Sequence, residues 1–71
     1  MQEVWIRDEY IRLGQALKLG GLVGSGVDAK RVIQEGLVTV NHTVVRERGR
    51  KLYNGDVAAF EGEEILIRND Y

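Results

Sequence analysis

The sequence predicts an α+β fold, a hairpin of two short helices packed on a small antiparallel β-sheet. Three observations lead there. Between Leu13 and Glu35, apolar residues recur at spacings of three and four in two stretches, each closed by glycine. From Val38 to Ile67, short β-prone runs are separated by Asn-His, Asn-Gly and Glu-Gly turns. The chain has 71 residues, enough for one domain, so residues 1–71 are read as a single unit.

Val4-Trp5-Ile6 is β-prone, and Arg7-Asp8-Glu9 follows as a polar break. A short first strand is expected there, at a sheet edge or paired with the C-terminal strand, with Trp5 packed against the core. The first helix is expected from Leu13 to about Leu19, because Leu13, Ala16, Leu17 and Gly20 form one face. Gly14 is acceptable at its start as a cap, and Gly20-Gly21 ends it. Ser25 is the expected N-cap of the second helix, with Asp28 three residues on to complete a capping box. That helix is expected to run to about Glu35, where Gly36 stops it. Ala29, Val32 and Ile33 fall within about 100° of the wheel and should be buried. Lys30, Arg31 and Gln34 then point to solvent.

Val38-Thr39-Val40 alternates as a half-buried strand does. Asn41-His42 is a tight turn, since asparagine tolerates positive φ, and Thr43-Val44-Val45 returns. Arg46 to Lys51 is a basic run broken by Gly49, and Leu52-Tyr53 is a short bridge. Val57–Phe60 and Ile65–Ile67 are the last two strands, joined through Glu61-Gly62-Glu63.

Hydrophobic content of 44% with 30% charged residues fits a globular chain and excludes a disordered one. With no cysteine, a disulfide framework and a thiolate metal site are excluded. A cytoplasmic location is expected. No apolar run approaches the roughly 20 residues of a membrane span, and the N-terminus lacks the pattern of a signal peptide.

The net charge is −1, which taken whole argues against a nucleic-acid binder. Its distribution argues otherwise. Residues 1–11 sum to −2, residues 12–51 to +5 and residues 52–71 to −4. Segregation of this kind can raise a local positive field on a near-neutral protein.

Catalytic patterns are weak. Gly24-Ser25-Gly26-Val27-Asp28-Ala29 fits a loose dinucleotide-binding pattern, but no preceding strand or large parallel sheet is available to it. One histidine without cysteine leaves the common nucleophile–base pairs unavailable. His42 with scattered carboxylates has no metal-ligand spacing. No catalytic residue, cofactor or metal is expected.

The basic groups read better as phosphate contacts. Lys30 and Arg31 lie near the start of the second helix, where free N–H groups and the helix dipole favour anions. The Ser25 hydroxyl can cap that helix or bond a phosphate. Arg46, Arg48, Arg50 and Lys51 form a second cluster, and Gly49 lets the backbone approach a ligand. Lys18 lies beside the first helix's apolar face.

Several of these residues carry a family resemblance. They are Ile11 to Leu19, Ser25-Gly26 with Ala29-Lys30, Gly36 with Val38, Val40 and Asn41, Arg48-Gly49-Arg50-Lys51-Leu52, and Gly55-Asp56-Val57. In this order they resemble the alpha-L RNA-binding domain named after the fourth small-subunit ribosomal protein, and most closely its small stand-alone YaaA-type bacterial members. The resemblance covers about residues 11–62. It implies a helix hairpin on a small antiparallel sheet, with RNA bound by the helix pair and adjoining loop. It carries Arg12, Ser25, Lys30 and Arg31 onto that surface, Asn41-His42 onto its hairpin tip and Arg48–Lys51 onto a basic run typical of the stand-alone members. His42 and Val27 depart from the pattern, standing where relatives often have glycine. The expectation is a cytoplasmic, monomeric, non-catalytic module for structured ribosomal or transfer RNA. The competing expectation is a protein-interaction module of a ribosome-associated or replication-associated complex, recruited through the acidic C-terminal segment and Trp5.

Overall fold

A computed structural model describes residues 1–70. In chain order its elements are β1 (Gln2–Ile6), β2 (Tyr10–Arg12), α1 (Leu13–Leu19), α2 (Gly26–Gln34), β3 (Val38–Val40), β4 (Thr43–Val44), β5 (Lys51–Tyr53), β6 (Val57–Phe60) and β7 (Glu63–Asn69). Both helices lie where the apolar spacing puts them, and α1 packs against α2.

The two helices end by the same device. Gly21 and Gly36 take left-handed conformations, with φ of 76° and 78°. After α1, the Leu22 N–H donates to the Leu17 carbonyl and the Gly21 N–H to that of Lys18. After α2, Leu37 donates to Val32 and Gly36 to Ile33 in the same pattern. Both are Schellman closures, which satisfy carbonyls that the helix itself leaves unpaired.

Five strands form one sheet in the order β1-β7-β6-β3-β4. All pairs in it are antiparallel except β1–β7, which is parallel with Val4 opposite Ile67. The antiparallel sheet expected from the sequence is therefore a mixed one. Hairpins impose antiparallel pairing on neighbours in sequence, but β1 and β7 are separated by the rest of the chain and can meet in either direction. Asn41 and His42 both have positive φ, 50° and 71°, as a two-residue hairpin turn requires. A second sheet, of β2 and β5 only, pairs Tyr10 with Tyr53, Ile11 with Leu52 and Arg12 with Lys51.

The core lies between helices and sheet. Leu13, Leu17, Ile33, Leu52, Ile65 and Ile67 are wholly buried within it. Ala29, Val32 and Ile33 are buried together, as the α2 stripe predicts. Trp5 departs from expectation, being 53% exposed. It alternates with the buried Val4 and Ile6 on β1 and so points to the sheet's outer face. There Arg68 sits 5.3 Å from the centre of its ring.

Candidate nucleic-acid interface

The Arg46–Lys51 run folds back onto the start of α1. The Leu13 N–H donates to the Arg50 carbonyl at 2.8 Å and the Gly14 N–H to the Arg48 carbonyl at 3.0 Å. Arg12, at the N-cap position, makes no side-chain capping bond, and the first turn of α1 holds no acid. Backbone carbonyls of the basic turn thus replace the usual side-chain cap. The Arg12 guanidinium completes the joint by donating to the Gly49 carbonyl at 2.8 Å.

Gly14 makes room here for Arg48. A Cβ at this position would stand 2.7 Å from Cγ of Arg48, well inside van der Waals contact, so the glycine lets Arg48 lie across the helix. The result is a groove lined by Arg12, Gly14, Gln15, Lys18, Arg48 and Gly49, with Gly26 from the start of α2. Three cations from three segments meet there, and no acid lines it. Lined walls of one charge focus a field and favour an anion.

The β2–β5 ribbon continues this surface. Its cross-strand register sets Arg12 beside Lys51 and Tyr10 beside Tyr53. The Lys51 ammonium lies 4.7 Å from the Tyr10 ring centre and the Arg12 guanidinium 5.5 Å.

The remaining residues expected to bind are placed differently. Ser25 caps α2, its hydroxyl accepting from the Asp28 N–H at 3.1 Å. The Asp28 carboxylate turns to Arg31 instead, at 3.9 Å, so the capping box is half formed. Arg31 also lies 3.7 Å from Glu35, and both pairs are largely exposed. Lys30 is exposed on the same helix. Arg46 lies at the far end of α2, where it donates to the Gln34 carbonyl at 3.3 Å over Gly36. Arg50 is exposed, with its carbonyl used by Leu13.

At the hairpin tip, His42 is exposed and Asn41 is bound into the fold. The Asn41 side chain accepts from the Val57 N–H at 2.9 Å and donates to the Asp56 carboxylate at 3.0 Å. Neither residue lines the groove. Among the described residues, no three histidine or acidic side chains gather as a metal site, and no helix is long and apolar enough to cross a membrane.

The ordered helix pair, hairpin and basic turn have a known counterpart. Residues 4–68 match the S4 domain family. This chain belongs to that family. The Probable ribosome maturation protein RlbA of Bacillus subtilis (strain 168) is 49% identical to this chain over 57 residues, covering 80% of each chain. The fold is also similar to the 30S ribosomal protein S4e from Thermoplasma acidophilum, with a TM-score of 0.62 and 27% identity over 82% of this chain. This S4 domain chain spans only 31% of that ribosomal protein.

The sequence reading missed Gln15 and Gly26 in the groove, and it missed Tyr10 and Tyr53 on the ribbon. A signal for the tyrosines was present. Tyr10-x-Arg12 and Lys51-x-Tyr53 each place an aromatic and a cation at the two-residue spacing of one strand face.

Proposed function

We propose that this protein is a non-catalytic RNA-binding module that associates with ribosomal particles or their precursors. It docks on structured RNA, ribosomal or transfer, through the groove between α1, the start of α2 and the Arg48–Lys51 turn. The observation that carries this reading is the convergence of Arg12, Lys18 and Arg48 on one acid-free groove. The S4 domain match and the ribosomal names of its relatives support it, as does reading the helix pair as an alpha-L motif. Lys30, Arg31, Arg50 and Lys51 extend the positive surface around the groove. Phosphate positions and helix shape, more than base identity, select the target. The protein acts as a cytoplasmic monomer in this reading.

The test is a fluorescence-anisotropy titration of a structured ribosomal RNA hairpin at several salt concentrations. About four phosphate contacts should weaken binding roughly a hundredfold between 50 and 200 mM salt. Lys18→Ala with Arg48→Ala should reduce the slope of log affinity against log salt by about two. A flat salt dependence sinks the reading.

A second reading, a protein-interaction surface, draws on the exposed Trp5 of the open edge strand β1. A ribosomal association that survives RNase but not Trp5→Ala would favour it.

A further inference from the structure

We infer that the outer face of the β2–β5 ribbon is a stacking site for an unpaired RNA nucleotide, with the base on Tyr53 and the phosphate on Lys51 and Arg12. This rests on the RNA-binding reading and adds a subsite of different chemistry to it.

The ribbon has two unlike faces. Ile11 and Leu52 point inward, Leu52 wholly buried and Ile11 packed against the core. Tyr10, Arg12, Lys51 and Tyr53 occupy the other face, so that face carries two aromatic rings and two cations. Interleaved rings and cations are the composition by which proteins hold single-stranded nucleic acid, with bases on the rings and phosphates on the cations.

Ribbon stability accounts for Tyr10, because both cations lie over its ring. The cross-strand contact with Tyr10 accounts for one side of the Tyr53 ring. Tyr53 is nevertheless 43% exposed and has no cation over its ring among the described residues, so its other side is left uncovered. The two rings are 6.0 Å apart and tilted by 51°, which leaves no parallel slot between them. A base therefore stacks on the solvent side of Tyr53.

The surroundings orient the nucleotide. Lys51 lies two residues back along the strand, about 7 Å away, a span comparable with that from a base to its own backbone. On the other side, Tyr53 lines a depression with Glu9, Asn54 and Asn69. The Asn69 amide is engaged with the Asp8 and Glu9 carbonyls, and the Asn54 side-chain oxygen with the Asn69 N–H. The Glu9 carboxylate and the Asn54 amide nitrogen make no such bond among the described residues, leaving one accepting group and one donating group for a base edge. Glu9 also repels phosphate, so the base lies toward Glu9 and the backbone toward Lys51. Arg12 belongs to both the groove and the ribbon. The ligand is then a stem with an unpaired nucleotide beside it.

The test uses two RNAs, a blunt hairpin and the same hairpin with a four-nucleotide single-stranded tail carrying 2-aminopurine. The full chain should bind the tailed RNA more tightly and quench the 2-aminopurine. Tyr53→Ala should remove the gain from the tail, about 5- to 150-fold at the usual strength of base stacking, and leave the blunt hairpin unaffected. Tyr53→Phe should retain the gain. If both RNAs bind equally to the unaltered protein without quenching, the stacking site is refuted while RNA binding stands. If neither binds, the RNA-binding reading fails and the subsite with it. Should Tyr53→Ala fail to fold, the quenching measured on the unaltered protein decides.

Discussion

Replacing Asn41 with alanine should destabilise the protein by about 3 kcal/mol without touching the groove of Arg12, Lys18 and Arg48. The magnitude follows from two separable losses. The side chain makes two hydrogen bonds, from the Val57 N–H at 2.9 Å and to Asp56 at 3.0 Å. At about 0.5–1.5 kcal/mol each, they contribute roughly 2 kcal/mol. Asn41 also holds φ at 50°, where alanine is disfavoured by about 1 kcal/mol relative to asparagine. Against a total stability of roughly 4–10 kcal/mol for 71 residues, this is a large fraction. The melting temperature should fall by about 12–24 °C. Asn41→Gly relieves the backbone but not the hydrogen bonds and should cost about 2 kcal/mol. Urea melts of the three proteins measure the series. RNA affinity, measured where each variant remains folded, should stay within twofold. The reasoning is refuted if glycine costs as much as alanine. It is refuted equally if Asn41→Ala keeps its melting temperature and loses RNA affinity, which would make Asn41 an RNA contact.

Two further outcomes separate binding residues from structural ones. Lys30→Ala with Arg31→Ala should lower the salt slope of RNA binding by up to two. The same pair should change stability by less than about 1 kcal/mol, because the Arg31 ion pairs are exposed; a thermal melt showing unfolding would make these residues structural. Arg46→Ala should behave oppositely, costing about 0.5–1 kcal/mol through the lost bond to the Gln34 carbonyl at the negative end of α2. Its RNA affinity should be unchanged, and a tenfold loss with an intact melt would make Arg46 an RNA contact, as the sequence suggests.

The helices were legible because their signals are local. Apolar spacing, Ser25 and the glycines at 20–21 and 36 all act within a turn or two of the residues they bound. The Asn41-His42 hairpin was legible for the same reason. The first strand was expected at a sheet edge or paired with the C-terminal strand, and β1 is both. Its parallel direction was not legible, because strand direction between distant segments leaves no mark in either segment. Nor was the β2–β5 ribbon, whose three-residue strands are too short to show a period and find each other across the whole helix pair. Trp5 was misplaced because β-propensity predicts a strand but not which face of it is covered. The groove was half legible. Its cations could be named singly, but the meeting of Arg12 with Arg48 depends on carbonyls of the basic turn bonding the start of α1, and backbone acceptors are the same at every residue.

The placement of charge explains how a chain of net charge −1 can present a positive site. Arg12 and Arg48 gather at the N-terminal end of α1. Glu63 and Glu64 lie at its other end, beside Gly20-Gly21 and Leu22. The helix is about 10 Å long, similar to the Debye length in 0.1 M salt, so the two ends are partly screened from one another. Cations at the start of a helix oppose its dipole and are locally unfavourable, so stability alone would not put them there. An anion bound in the groove relieves that repulsion. If the groove binds RNA as proposed, the acids at the far end supply the converse, repelling phosphate when the protein approaches in the wrong orientation. Salt should therefore weaken binding through the groove, while reversing Glu63 and Glu64 to lysine should raise non-specific affinity and lower discrimination between structured RNA and bulk polyanion.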